Sequence, residues 1–181
     1  MEGDERLRLF CALLLPSAAL EKVVEWQARE LASFAGPLRL VPPENLHITL
    51  AFLGRTDSDR LSEIAEALRD ACAGLEPPVL TPLRYRETRS VAMIVLADDG
   101  GRAQHLAERL WERLEALGVY ERERRRWHPH VTVARFRARP KLSPPVPDLG
   151  GVVPSDAAVM ISRLRPGGAQ YEVLESVSLG G

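Results

Sequence analysis

The stretch "PENLHITLAFLG", residues 43–54, is the one from which the rest of the chain can be read. Leu46, Ile48, Leu50 and Phe52 alternate with the period of two that marks one buried face of a β-strand. The opposite face carries His47 and Thr49, and side chains at i and i+2 on a strand point the same way. Pro42 and Pro43 break the chain before this strand, and Gly54 is expected to end it. A second stretch, "HPHVTVARF", residues 128–136, repeats the pattern, with His130 and Thr132 on one face and Val131 and Val133 on the other. The two strand histidines are 83 positions apart.

The surroundings repeat as well. Arg6–Leu15 reads as a buried strand, stopped by Pro16. Ser17 is placed to cap a helix running to about Ser33, with Leu20, Val23, Val24, Leu31 and Phe34 on one stripe. Gly36-Pro37 and Pro42-Pro43 then interrupt the chain before the His47 strand. Asp57 or Ser58 is expected to cap a second helix that turns Leu61, Ile64, Leu68 and Cys72 inward, and Val79–Tyr85 reads as a strand that Pro82 places at a sheet edge. Val91–Ala97 reads as a second buried strand, followed by a helix over Arg102–Leu117, a charged loop and the His130 strand. Strand, helix, crossover and His-x-Thr strand thus occur twice at one spacing. Two copies do not make a solenoid. They predict an α+β fold of two lobes related by a pseudo-two-fold, with two small antiparallel sheets flanking a central cleft and helices outside, all within one domain spanning 1–181. Pro140–Pro154 reads as a loop within that domain, because too little chain follows to fold alone. Asp156–Leu164 and Tyr171–Leu179 read as strands joined through "RPGGAQ".

Composition narrows the class. A chain of 181 residues with 45% hydrophobic and 27% charged residues has the makeup of an ordinary globular protein with a substantial core. The net charge of −1 hides a local excess, because Glu121–Lys141 holds eight basic residues against Glu121 and Glu123, about +6, a footprint suited to polyphosphate ligands. Cys11 and Cys72 lack metal-type spacing and read as reduced core thiols of a cytoplasmic protein. The apolar run "LFCALLLP" is too short to cross a bilayer and follows mixed charge rather than a basic segment. No membrane association is expected, and a monomer is the default.

Two imidazoles and two hydroxyls facing one cleft suit phosphoryl transfer by general acid–base catalysis. One neutral histidine takes a proton from the nucleophile and one protonated histidine gives a proton to the leaving oxygen. Thr49 and Thr132 are placed to donate hydrogen bonds to phosphate oxygens. The same residues leave two other readings open. His47, His128 and His130 are the ingredients of a three-His zinc site, although no carboxylate stands at ligand spacing and the threonines would then be unexplained. A nucleotide- or RNA-binding domain without catalysis would account for the arginines but has no need of an imidazole pair. Trp127 reads as a packing or lid residue in preference to a base-stacking platform, and Tyr171 as a hairpin residue. His105, on the polar side of a helix, has no assigned role.

The paired motifs, with the opening "RLFCALLLP" and the closing "SRLRPGGAQYEVLE", resemble the two-histidine phosphoesterase superfamily, in particular its RNA 2′,3′-cyclic phosphodiesterase, or 2′-5′ RNA ligase-like, branch. The likeness spans almost the whole chain. It implies metal-independent hydrolysis of RNA 2′,3′-cyclic phosphate ends to 2′-phosphates, with weak ligation, no cofactor, and an RNA end or a small cyclic nucleotide as partner. It also implies His47 as proton donor to the departing O3′, His130 as the base that activates water, and Arg135 beside the phosphate with Thr49 and Thr132. Simple alternation puts Arg135 on the face opposite His130, so that role requires the strand to bulge or end there. Leu40 and the Val91–Ala97 strand lack aromatic residues common in the branch, which bears on base recognition and leaves the phosphate chemistry untouched.

Overall fold

Leu9, Phe10, Cys11, Ala12 and Leu13 are consecutive and all buried, so the strand that carries them has to be covered on both faces. The computed structural model describes residues 5–180. It places that strand, β1 (Arg6–Leu14), inside an antiparallel sheet of order β3 (His47–Asp57), β1, β7 (Asp156–Arg165), β8 (Gly168–Ser178). A second antiparallel sheet runs β2 (Leu38–Leu40), β6 (His130–Phe136), β5 (Val91–Ala97), β4 (Thr81–Glu87). Three helices, α1 (Ser17–Glu30), α2 (Leu61–Cys72) and α3 (Arg102–Ala116), complete the α+β arrangement. As Pro82 implies, β4 lies at an edge, and its pairing shifts register between Pro82 and Arg84.

Two of these helices, α1 and α3, are exchanged between the lobes. α1 follows a strand of the first sheet but docks on the second, where the buried Gln27 amide donates to the carbonyls of Val41 (3.0 Å) and Val133 (2.8 Å). α3 follows a strand of the second sheet but packs beside β3, with the Trp111 indole donating to the Leu50 carbonyl at 2.9 Å. One apolar cluster therefore runs through Leu9 and Ile48 of the first sheet, Ile94 and Val133 of the second, and Trp26, Leu68 and Leu110 of the helices. The Pro-rich segment after β6 is an integral loop. Glu87 accepts the N–H groups of Lys141 and Leu142, Trp26 donates to Pro145, and Val152 bridges Leu80.

Several boundaries differ from expectation. β3 does not end at Gly54 but continues to Asp57, because Gly54 adopts φ +72° within a bulge opposite Leu9 and Phe10, a conformation open to a residue without Cβ. A short 3₁₀ turn, Ser58–Arg60, then leads into α2, so neither Asp57 nor Ser58 caps that helix through its side chain. Pro16, extended at φ −66°, occupies the N-cap of α1 in place of Ser17, and α1 stops at Glu30 short of Ser33. The three-residue β2, unseen in the hydropathy pattern, pairs Arg39 with Arg135.

The most consequential local feature is a bulge shared by the two histidine strands. In β3, Thr49 and Ala51 stand opposite Ala12 and Cys11, leaving Leu50 as the extra residue. In β6, Thr132 and Ala134 stand opposite Met93 and Ala92, leaving Val133 extra. The extra residue inverts the alternation beyond it. Phe52 and Arg135, each five residues past its histidine, are thereby turned into the cleft.

Candidate active site

The cleft between the sheets encloses about 910 Å³, and His47, His130, Thr49, Thr132 and Arg135 all line it. The five residues singled out from sequence are thus brought together, Arg135 by the Val133 bulge. The His47 ring is held by its own chain, with Nδ1 2.7 Å from the Asn45 carbonyl oxygen. His130 repeats the device, with Nδ1 2.8 Å from the His128 carbonyl oxygen. A carbonyl only accepts, so each Nδ1 carries hydrogen and each Nε2 is left for chemistry. His47 Nε2 lies 3.0 Å from Thr49 Oγ1, which donates to it while the ring is neutral.

His47 is packed between aromatic residues. Phe10 lies 5.0 Å away, and the Tyr171 ring meets it edge-on at 5.3 Å. Tyr171 is therefore a wall of the site as well as a hairpin residue, and its neighbour Phe10 shares a small apolar patch with Ala12, Ala158 and Met160. Burial pushes the His47 imidazolium down to about 4. The Asn45 carbonyl opposes this shift, and the charges of His130 and Arg135 add to it. His47 is thus neutral near pH 7 in the free protein. Burial likewise lowers His128, with Arg126, Arg84, Arg86 and His130 contributing repulsion.

Seven arginines line the cleft, Arg8, Arg39, Arg86, Arg122, Arg125, Arg126 and Arg135, against Glu123 as the acidic lining residue. The arginine-rich segment contributes less free charge than its sequence suggests. Arg122 forms a fork with Glu115 and lies over the Trp111 ring, Arg125 pairs with Glu123, and Arg139 pairs with Glu87. Arg8, Arg39 and Arg86 make up for it from elsewhere in the chain. Arg8 alternates with Phe10 on one face of β1, a signal that was present in sequence; Arg39 arrives on the unrecognised β2. Arg8 also lies over Phe52 at 5.2 Å. Trp127 borders the cleft but packs edge-on against Trp111 and donates to the Thr49 carbonyl at 3.1 Å, in keeping with a packing role. His105 is exposed on α3, away from the cleft. Among the described residues no group of three or more His, Cys, Asp or Glu is arranged to hold a metal, so His47, His128 and His130 are not gathered as a ligand set. No helix among them is long and apolar enough to cross a membrane.

Comparison with known proteins gives a consistent set of relatives. A family model described as the 2′-5′ RNA ligase superfamily matches residues 15–164. An RNA 2′,3′-cyclic phosphodiesterase of Thermus thermophilus is 34% identical over 97% of this chain and 91% of its own length. The crystal structure of TT0787 from the same organism superposes with a TM-score of 0.79 at 31% identity, covering 97% of this chain and 99% of that one. Escherichia coli LigT complexed with NADP+ superposes with a TM-score of 0.75 at 26% identity, covering 98% and 100%.

Proposed function

The chain belongs to the 2′-5′ RNA ligase superfamily, and from that premise and the geometry of its cleft we propose that it hydrolyses 2′,3′-cyclic phosphate ends of RNA to 2′-phosphomonoesters by two-histidine acid–base catalysis. The observation that carries this reading is the matched pair of imidazoles. Each is tied through Nδ1–H to the carbonyl two residues earlier, and both open onto one arginine-lined cleft. The similarity to the T. thermophilus phosphodiesterase supports the substrate class.

The cyclic phosphodiester carries one negative charge and sits between the imidazoles and Arg135. His130, more exposed at its ring than His47, takes a proton from water as the water oxygen bonds to phosphorus. The P–O3′ bond breaks, and His47 delivers a proton from Nε2 to the departing O3′. The free protein holds His47 neutral, so it takes up its proton from solvent as the substrate binds, when the anionic phosphodiester offsets the repulsion from Arg135 and His130. On binding, the Thr49 hydroxyl turns from His47 Nε2 to a non-bridging oxygen, and Thr132 donates from the other side. Such donors act where charge grows in the transition state. Each proton transfer contributes about 10²–10⁴ in rate, and no step requires a metal. An RNA hydroxyl in place of water, activated by the same base, gives a 2′-5′ linkage, which is the weak ligation the family likeness implies.

Setting aside Arg122 and Arg125, which are paired with carboxylates, the cleft still holds five arginines, more than one phosphodiester can use, and this favours a polyanionic RNA end over a cyclic mononucleotide. The test is the product. ³¹P NMR of a short RNA bearing a terminal 2′,3′-cyclic phosphate should show conversion to the 2′-phosphate. A 3′-phosphate product would reverse the leaving group, and binding without turnover would favour a non-catalytic RNA-binding domain.

A further inference from the structure

The two lobes hold their imidazoles by the same hydrogen bond but secure its acceptor by different means. In the second lobe the acceptor is the His128 carbonyl, and Pro129 stands between it and His130. The proline ring fixes its own φ and keeps the preceding residue extended. Pro129 is buried, and its carbonyl accepts the Leu96 N–H at 2.9 Å. In the first lobe the corresponding residue between acceptor and imidazole is Leu46, which has no such ring.

There the side chain of Asn45 supplies the restraint. Its Nδ2 donates to the Ala169 carbonyl at 2.8 Å, while its own carbonyl accepts from His47 Nδ1 at 2.7 Å. Ala169 lies on β8 two residues before Tyr171, whose ring edge meets His47. The amide is only 9% exposed, and its Oδ1 is buried with no hydrogen-bond partner among the described residues. The Nδ2 bond joins the chain just before His47 to the strand that carries Tyr171, so it fixes this segment against the wall of the site.

We propose that Asn45 is a positioning residue for His47: its side-chain clamp on β8 fixes the carbonyl that sets the imidazole's orientation and tautomer, the task Pro129 performs covalently for His130. The inference rests on the reading of His47 as a catalytic residue. Losing the clamp frees the Asn45 carbonyl to move and lets the ring present the wrong nitrogen to the phosphate.

The test is ¹⁵N–¹H NMR of the labelled histidine rings in wild type, Asn45→Ala and Pro129→Ala, alongside kcat and KM on an RNA 2′,3′-cyclic phosphate. Asn45→Ala should move His47 from a single Nδ1–H tautomer to a mixture, with His130 unchanged. It should lower kcat by about 10²-fold, the scale of a small misplacement of a reacting group, with KM within about threefold. Pro129→Ala should disturb His130 and spare His47. Asn45→Ser is read in the same way should the alanine variant fold poorly. A His47 ring that keeps its tautomer, with kcat within about twofold of wild type, overturns the proposal, as does equal disturbance of both rings. A tautomer change in a protein whose wild type turns over no cyclic phosphate upholds the clamp and instead removes the catalytic reading of His47.

Discussion

His47 joins two demands that oppose each other, since the proposed chemistry requires it to hold a proton and its buried surroundings expel one. The consequences can be read in pH. The free protein's imidazolium lies near 4, so the acidic limb of kcat/KM should fall well below the ordinary imidazole range, because kcat/KM reports groups of the free enzyme. The acidic limb of kcat should lie higher, since the bound phosphodiester restores the proton's affinity. Coincident limbs in the two profiles would mean that substrate does not touch His47. Stability carries the same signature with a definite sign. The unfolded chain binds a proton below about 6.5 that the folded protein refuses until about 4, so folding weakens as pH falls through that window. Replacing His47 with Gln should remove up to about 3 kcal/mol of that loss at the bottom of the window, measured by denaturant unfolding at pH 4.5 and 7. An unchanged pH slope in His47→Gln would show the ring to be less buried in solution than its packing against Phe10 and Tyr171 indicates.

Among the strands and helices, the paired bulges decide what faces the substrate. The Val133 bulge turns Arg135 inward, and the buried Gln27 amide of α1 supports it by donating to the Val133 carbonyl. Gln27→Met should therefore destabilise the fold by about 1–3 kcal/mol, the cost of leaving buried acceptors short of a donor. It should also raise KM for cyclic phosphate as Arg135 loses its support; a pure stability loss with unchanged KM would separate the bulge from the helix. Local sequence signals stop short at this scale. The repeat, the sheets and the His-x-Thr faces were legible because alternation and breakers act within a few residues. Alternation alone placed Arg135 on the wrong face, and the need for a bulge followed only from the family likeness. Leu38–Leu40 was too short to show a period, and its Arg39 reaches the cleft only through pairing with β6. Tyr171 reads from sequence only as a hairpin residue and Asn45 carries no signal, for a related reason: each is joined to a partner more than a hundred residues away in the chain. Such pairings leave no local trace.

For the whole molecule, exchange of helices between lobes makes the cleft a product of both halves, and its arginines come from five separate segments of the chain. Phe52 and Arg135 occupy equivalent positions in the two lobes, so the pseudo-two-fold is broken where it matters, giving one lobe an aromatic face and the other a cation. Arg125 and Arg126 line the cleft, whereas Arg124 does not. Replacing Arg125 and Arg126 with Ala should weaken RNA binding and reduce its salt slope by about 0.7 for Arg126, the value for one single-strand phosphate neutralised, and by less for Arg125, which is shared with Glu123. Arg124→Ala should leave both unchanged, and turnover of a cyclic mononucleotide should survive all three substitutions. Equal loss on RNA and mononucleotide would place those arginines at the reacting phosphate instead of along the strand. The proposed reaction needs two imidazoles and no metal. Its most direct test is turnover of an RNA ending in a 2′,3′-cyclic phosphate, in excess EDTA, by wild type, His47→Ala and His130→Ala. Wild type should yield 2′-phosphate in EDTA, with a loss of at least about 10²-fold in each variant; activity abolished by EDTA, or retained by either alanine variant, would rule out a metal-free two-histidine reaction.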